Sequence, residues 1–296
     1  MMKLFIFALM LTSFAFADTR EEAATILDRG MNVVGIGDRL DNFSQMFLGK
    51  PYGFGGPLGE GPDGRYDQDP LYRFDTFDCT TFVETNIALA LSRDANEFEK
   101  NILEVRYANG NVDYLTRNHF TDLWWIPNNI KNGMLTDITH KLGGKHVLIA
   151  TAEINLPGWL QKIHPEEIVV PNASAEERNA LLDELHSLSR NYSPETATVP
   201  YVEINWILKN PSWVKNIPHG AIVNYVRPNW DLTQEIGTHQ NISHQALLFW
   251  KGKVLYQRHA STTGPKTVFE LPFLEYIKKF ENHPTLKGIH LMIVNE

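Results

Sequence analysis

Cysteine is almost absent from this chain: Cys79 is the only one among 296 residues. A single thiol cannot close an intramolecular disulfide, so no covalent staple is available to the fold. Three readings remain for Cys79: a small buried hydrophobe, an intermolecular bridge or a nucleophile. Positive charge is also short, with 27 Lys and Arg against 35 Asp and Glu and a formal charge of −8. That balance excludes nucleic acid or an anionic membrane as the main partner, because both need a basic face. Long hydrophobic runs are missing; the longest lies between Leu4 and Phe14, well short of the ~20 residues that span a bilayer. A zinc-ligating His-Glu-x-x-His is missing too, and the pair His239 and His244 stands five apart with no adjacent acidic ligand. No metal and no other cofactor is therefore expected. There is no internal repeat, heptad or low-complexity tract, which excludes solenoids, coiled coils and a repeat-built wall anchor.

What is present begins with Met1-Met2-Lys3, the short apolar run, and Ala15-Phe16-Ala17. A cationic start, a short apolar core and an A-x-A site predict a signal peptide over residues 1–17. The mature chain is then exported, with the periplasm as its expected place and secretion as the alternative, and it keeps no membrane anchor. Loss of Lys3 leaves 26 basic against 35 acidic residues, a charge of −9. Residues 18–296 are expected to form one elaborated domain of class α+β, helical over about 18–145 and sheet-rich over about 146–296. An insertion is expected at about 155–195.

Thr19-x-x-Glu22 reads as a capping box opening a helix that stops at Gly30. Ile36, Leu40, Phe43 and Phe47 recur at helical spacing, predicting a helix over 36–48. A Gly- and Pro-rich loop follows, Gly49-Lys50-Pro51-Tyr52-Gly53-Phe54-Gly55-Gly56-Pro57. After Asp78, the residues Phe82, Val83, Ile87, Ala90 and Leu91 predict another helix, with Cys79 at its start and on its inward stripe. A further helix is expected over 95–107, an irregular aromatic stretch over 112–135, and a capped helix from Ser174-x-x-Glu177. Strands are predicted over His146–Ala150, Ala221–Val226, Ser243–Trp250, Lys253–His259 and Ile289–Val294. The third and fourth form a hairpin about Lys251-Gly252, and residues 268–282 read as a helix.

A thiol attacks as the thiolate, and a helix N-terminus is expected to lower its pKa. An imidazole must then take up its proton and pass it to the leaving amine. All eleven histidines lie downstream of Cys79, so chain order cannot choose among them. A base has to be held rigidly, and His244 opens the most convincing central strand of the last sheet. His259 closes the partner strand of that hairpin and could orient the first ring, as the third member of a triad does. His146 also starts a strand but has no second polar group across a hairpin.

Four segments together resemble the successive motifs of NlpC-type cell-wall hydrolases, papain-like cysteine enzymes that cut amide bonds in peptidoglycan. They are Gly49–Gly56, Phe77-Asp78-Cys79-Thr80-Thr81-Phe82-Val83, Ser243-His244-Gln245-Ala246-Leu247 and His259-Ala260-Ser261. The entry Phe47-Leu48-Gly49-Lys50-Pro51-Tyr52 and the run Asp78–Glu84 are similar to the branch described as N-acetylmuramoyl-L-alanine amidase-like, as is the separation of 165 residues between Cys79 and His244. The resemblance implies a papain-like core in which N-terminal helices and a catalytic helix pack on an antiparallel sheet. It implies Cys79 as nucleophile, His244 as base, His259 as polar third member and Tyr52 lining the site, with Asp78 beside the nucleophile counted among the substrate-binding residues. Thr81 and Ala246 depart from the family's usual small residues at those two positions. The implied reaction is cleavage of the N-acetylmuramoyl–L-Ala amide of muropeptides through a thioester. A D-Glu–diaminopimelate endopeptidase and a non-catalytic muropeptide-binding protein remain as alternatives. Trp124 and Tyr201 are candidates to wall a sugar-binding groove, with core packing as the competing role. Asp122 and Arg227 are candidates to bind peptide amines or carboxylates.

Overall fold

The structure, a computed structural model, describes residues 19–30, 32–53 and 58–296. The expected leader at 1–17 and Phe54–Pro57 of the Gly-rich loop lie outside the described residues. Helix α1 covers 19–30, and α2 runs Ile36–Gln45. The spacing predicted three more residues for α2. Instead Met46, Phe47 and Leu48 donate to carbonyls three residues back, tightening the exit. Phe47 is still buried, 4.9 Å from the Phe77 ring and 6.0 Å from Phe74.

Helix α3, Cys79–Leu91, is enclosed from Thr81 to Ala90, the pattern of a central helix rather than a surface one. Its start is fixed locally. Asp78 Oδ1 accepts from Thr81 N at 2.7 Å, and Thr81 Oγ1 accepts from Asp78 N at 2.9 Å. Burying a ring such as Phe82 stabilises the fold by about 1.5–3 kcal/mol. Helix α4, Ala95–Arg106, is capped by Asp94. A π-turn at Thr121–Trp125 then leads into α5, Ile126–Lys131. Short elements α6 (Thr139–Gly143) and α7 (Leu156–Leu160) follow, then α8 (Ala175–Leu188), α9 (Ile204–Lys209) and α10 (Phe273–Lys278). Among the described residues no helix is long and apolar enough to cross a membrane.

The strands are β1 (Leu135–Asp137), β2 (Val147–Ile154), β3 (Glu195–Glu203), β4 (Ala221–Leu232), β5 (Thr238–Lys251), β6 (Val254–Ala260), β7 (Val268–Pro272) and β8 (Gly288–Val294). All pair antiparallel in the order β2-β3-β8-β4-β5-β6-β7, with β1 joining β8 beside β3. The molecule is thus a mixed α/β structure built on an antiparallel sheet. Two elements differ from expectation. Residues 268–272 are β7 rather than helix, because they pair with Tyr256–Ala260, and Pro272 delays the helix to α10. β3 had no local signal, and it exists through its pairing with β2. Between β2 and β3 the chain carries α7 and α8.

Helices α2, α3 and α4 cover one sheet face, packing on Ile222, Leu247, Phe249, Ala260 and Met292. Helices α9 and α10 cover the other, against Val223, Tyr225, Ala246, Leu248 and Leu291. Arg258, fully buried on β6, ties the layers together: its guanidinium meets Asp41 Oδ1 at 2.9 Å, Ser44 Oγ at 2.6 Å and Glu270 Oε2 at 2.7 Å.

Candidate active site

The start of α3 abuts β5. Cys79 is partly exposed, and the groups acting on its sulfur are Asp78, Thr80, its own backbone N–H and the backbone N–H of Gln245, the residue after His244. Tyr52 and Tyr276 both lie within electrostatic reach of it. Tyr52 is held there by backbone: its N–H donates to Lys266 O at 2.9 Å, and it bridges Phe77.

His244 on β5 and His259 on β6 lie diagonally across one sheet face, with His244 Nε2 and His259 Nδ1 2.6 Å apart. The sequence proposed this pair, and the structure brings the two rings together. Among the described residues no hydrogen bond joins Cys79 Sγ to His244; the thiol contact is Thr80 Oγ1 at 4.0 Å. Burial pushes the His259 ring down to about 2, with the neighbouring His244 and Lys279 adding to the shift. Burial likewise holds His244 down to about 4. A neutral His259 can accept the Nε2–H of His244, which leaves His244 Nδ1 as the nitrogen that exchanges protons.

The thiol itself corrects an expectation. The helix start was expected to lower its pKa, but burial pushes it up to about 12, the Asp78 carboxylate adds to that, and the Gln245 N–H and Thr80 offset only part. Burial thus favours the neutral form of both the Cys79 thiol and the His244 imidazole. Asp78, grouped with substrate-binding residues by sequence, spends a carboxylate oxygen on the cap of α3.

Two groups escaped the sequence reading. Gln257, fully buried, accepts from Tyr225 Oη through Oε1 and turns its amide nitrogen to His259 at 3.4 Å. Tyr276 stands 5.3 Å from both the His259 and Tyr225 rings. Gln257 was detectable, since it lies two residues before His259 and a strand presents such pairs on one face. Tyr276 was not, because α10 brings it in from a segment read as a longer helix.

The remaining candidates sit elsewhere or are engaged. Asp122 is buried, and its Oδ2 accepts from Asn241 N on β5 at 2.7 Å. Trp124 packs 5.5 Å from Phe120 and 6.3 Å from Trp159 in a satellite cluster. Tyr201 is buried on β3 among Ala150, Val199, Val226 and Ile242. Arg227 lies past the buried run of β4, its guanidinium 4.8 Å over the Trp230 ring.

The opposite face of the same strands carries a second buried polar row. Gln245 Nε2 donates to Asn224 Oδ1 at 2.8 Å, Asn224 Nδ2 meets His290 Nδ1 at 2.9 Å, and His290 Nε2 faces Asp137 Oδ1 at 3.4 Å. Burial would raise the Asp137 carboxyl, but hydrogen bonds from His290 and Thr139 outweigh it and hold the group below its ordinary range.

A family model for AmiA-like, N-acetylmuramoyl-L-alanine amidase-like proteins matches residues 42–286. The chain belongs to this family. The matched span takes in Cys79, His244 and His259. A Legionella pneumophila protein of the DUF1460 family model is 34% identical, with a TM-score of 0.89 over 95% of this chain and 97% of that one. A Bacteroides uniformis N-acetylmuramoyl-L-alanine amidase shares the fold at 20% identity and a TM-score of 0.60, over 88% of this chain and 99% of its own. No curated protein matches the chain. Family membership makes this an N-acetylmuramoyl-L-alanine amidase-like protein.

Proposed function

We propose that this protein is an exported cysteine amidase that cleaves the bond between N-acetylmuramic acid and L-Ala in peptidoglycan fragments, on a papain-like, NlpC-type core. The observation that carries the reading is the His244–His259 pair at 2.6 Å, on strands that meet the helix bearing the lone cysteine, in a chain of the amidase-like family. As Sγ attacks the lactyl carbonyl carbon, the thiol proton passes to His244 Nδ1. His244 Nε2–H donates to neutral His259, which orients the ring and shares its new charge. The oxyanion is met by the backbone N–H of Cys79 at the helix start. Collapse breaks the C–N bond, and His244 protonates the departing L-Ala amine, leaving a muramyl thioester. Water, deprotonated by His244, then releases the acid and restores the thiol.

The acidic balance favours soluble muropeptides over the intact anionic wall, and the leader-like start favours the periplasm. Incubating wild type and Cys79→Ala with defined muropeptides, followed by mass spectrometry, tests the chemistry. Release of a stem peptide beginning at L-Ala, lost in Cys79→Ala, is the expected result. Cleavage after D-Glu would make the enzyme an endopeptidase, and undiminished cleavage by Cys79→Ala would remove the cysteine mechanism. Cell fractionation with N-terminal sequencing checks the location: a chain starting at Asp18 in the periplasmic fraction is expected, and one retaining Met1 in the cytosol refutes export.

A further inference from the structure

A cavity of about 400 Å³ opens where the β5–β6 hairpin turns. His244 and Lys251, seven residues apart on β5, stand about 24 Å from each other at ~3.4 Å per residue. No candidate catalytic residue lines the cavity. Three segments enclose it: the 3₁₀ turn beginning at Pro211, the hairpin itself, and the junction of β7 and α10 at Pro272 and Leu274.

The walls are apolar for local reasons. Pro211 and Pro272 have no N–H to present. Trp250 spends its indole N–H on Ile217 O at 2.9 Å, which leaves its carbon faces. Val214 and Leu255 are buried, whereas Val254 beside them is 44% exposed, a large apolar surface left in water next to an apolar hollow. Ser212 is the single uncharged hydroxyl of the lining.

Charge enters with one sign. Lys215 and Lys253 line the cavity and are exposed, and among the described residues neither has an ion pair or a hydrogen bond. Their neighbour Lys251 is spent, paired with Glu270 and 5.4 Å from the Tyr256 ring. No Asp or Glu lines the cavity, a local reversal in a chain with a formal charge of −8. An apolar hollow with a few charged groups is the usual composition of a small-molecule site. A peptide or sugar would bring donors and acceptors that walls of Pro, Leu, Val and the Trp faces cannot pair, and burying these unpaired is costly. An unbranched hydrocarbon with one anionic end meets both features.

We propose that this cavity binds a medium-chain fatty acid, with the acyl chain against Trp250, Leu255 and Leu274 and the carboxylate held at the rim by Lys215 and Lys253. The site is separate from the candidate cleft, and the assignment is independent of which bond the protein cleaves.

The test uses the full protein with ¹³C-labelled Val and Leu methyls, titrated with monomeric decanoate at low ionic strength. Saturable shifts are expected at the methyls of Val254, Leu255 and Leu274. Each methylene added between hexanoate and decanoate should tighten binding roughly two- to fourfold. Decanol, which lacks the charge, should bind at least about threefold more weakly than decanoate. Combining Lys215→Met with Lys253→Met should erase that difference and leave decanol affinity within about twofold. Val254→Glu, at an exposed position, sets a like charge at the rim and should weaken decanoate at least about tenfold. Melting curves show whether each variant is folded, and the ligand series on wild type stands without them. Shifts absent from these three residues, or confined to the surroundings of Cys79 and His244, would overturn the site. Affinity that ignores chain length, equal binding of acid and alcohol by wild type, or an acid preference surviving the double substitution would do the same. If phosphatidylglycerol vesicles moved these methyls and decanoate did not, the surface would be a membrane contact and the fatty-acid assignment wrong.

Discussion

The same strands carry two buried polar rows, one on each face, and the rows end differently. On the face covered by α3, Gln245 donates to Asn224, Asn224 meets His290, and His290 Nε2 faces the Asp137 carboxylate at 3.4 Å. On the other, Tyr225, Gln257, His259 and His244 form a row that ends at His244 without meeting a carboxylate among the described residues. The rows touch along the chain at two places, Asn224 beside Tyr225 and Gln245 beside His244. An ionised terminus such as Asp137 fixes donors and acceptors in one sense and closes the chain. A row ending in neutral imidazoles leaves a proton to be moved. Alternation along a strand thus separates a network suited to structure from one suited to chemistry by a single residue.

The contrast can be broken by mutation. The largest effect is expected at the open end, where Cys79→Ala should lower kcat/KM on an N-acetylmuramoyl-L-Ala muropeptide by at least about 10⁴-fold in a product-release assay. One step inward, His259→Phe should lower kcat about 10²–10³-fold with KM little changed, and His259→Gln, which keeps an acceptor, should recover part of it. His290→Phe in the closed row should do the reverse: about 2–3 kcal/mol less stability in urea unfolding, and kcat within about threefold. If His290→Phe matched His259→Phe in kcat, the two rows would not be functionally distinct.

Acid should expose the same difference. His244 and His259 have folded values of about 4 and about 2, below the ordinary imidazole value near 6.5. The unfolded chain therefore takes up these protons first as pH falls. Their stabilising contribution is complete above pH ~6.5 and is lost as pH drops from there through the folded values, by at most about 1.4 kcal/mol per pH unit for each group. His259→Gln should flatten that decline between pH 6 and 4, measured by unfolding at each pH. An unchanged slope would mean that His259 does not titrate on unfolding in this range.

The smallest expected effect is at Asp78. Asp78→Ala removes the cap and should cost about 1 kcal/mol. Asp78→Asn keeps an acceptor but removes the charge that helps hold the thiol up, so iodoacetamide alkylation of Cys79 should shift to lower pH. No shift would show that the carboxylate does not act on the sulfur.

Legibility in the sequence followed the distance over which each feature is decided. The cap Asp78–Thr81 and the buried stripe of α3 are local, and so were readable. His244 and His259 were readable because a tight hairpin about Gly252, with φ of +60°, fixes their register. β3 and β7 were not, since each becomes a strand only by pairing with a segment elsewhere. The direction of the Cys79 shift was misread for a related reason. A helix start is visible in sequence, whereas the burial that dominates the thiol depends on packing from outside the helix. Tyr201 and Asp122 carried suitable chemistry in the sequence, yet tertiary packing commits one to a buried cluster and the other to a backbone amide of β5.

The position of β8 has a consequence for how the molecule comes into being. The strand made last, Gly288–Val294, lies inside the sheet, between β3 and β4, and β4 in turn supports the strand that bears His244. A growing polypeptide holds every candidate catalytic residue by Ala260 yet still lacks the strand that joins the two halves of its sheet. A chain cut before Gly288 would therefore lack the strand that joins β3 to β4 and, through β4, supports the strand bearing His244.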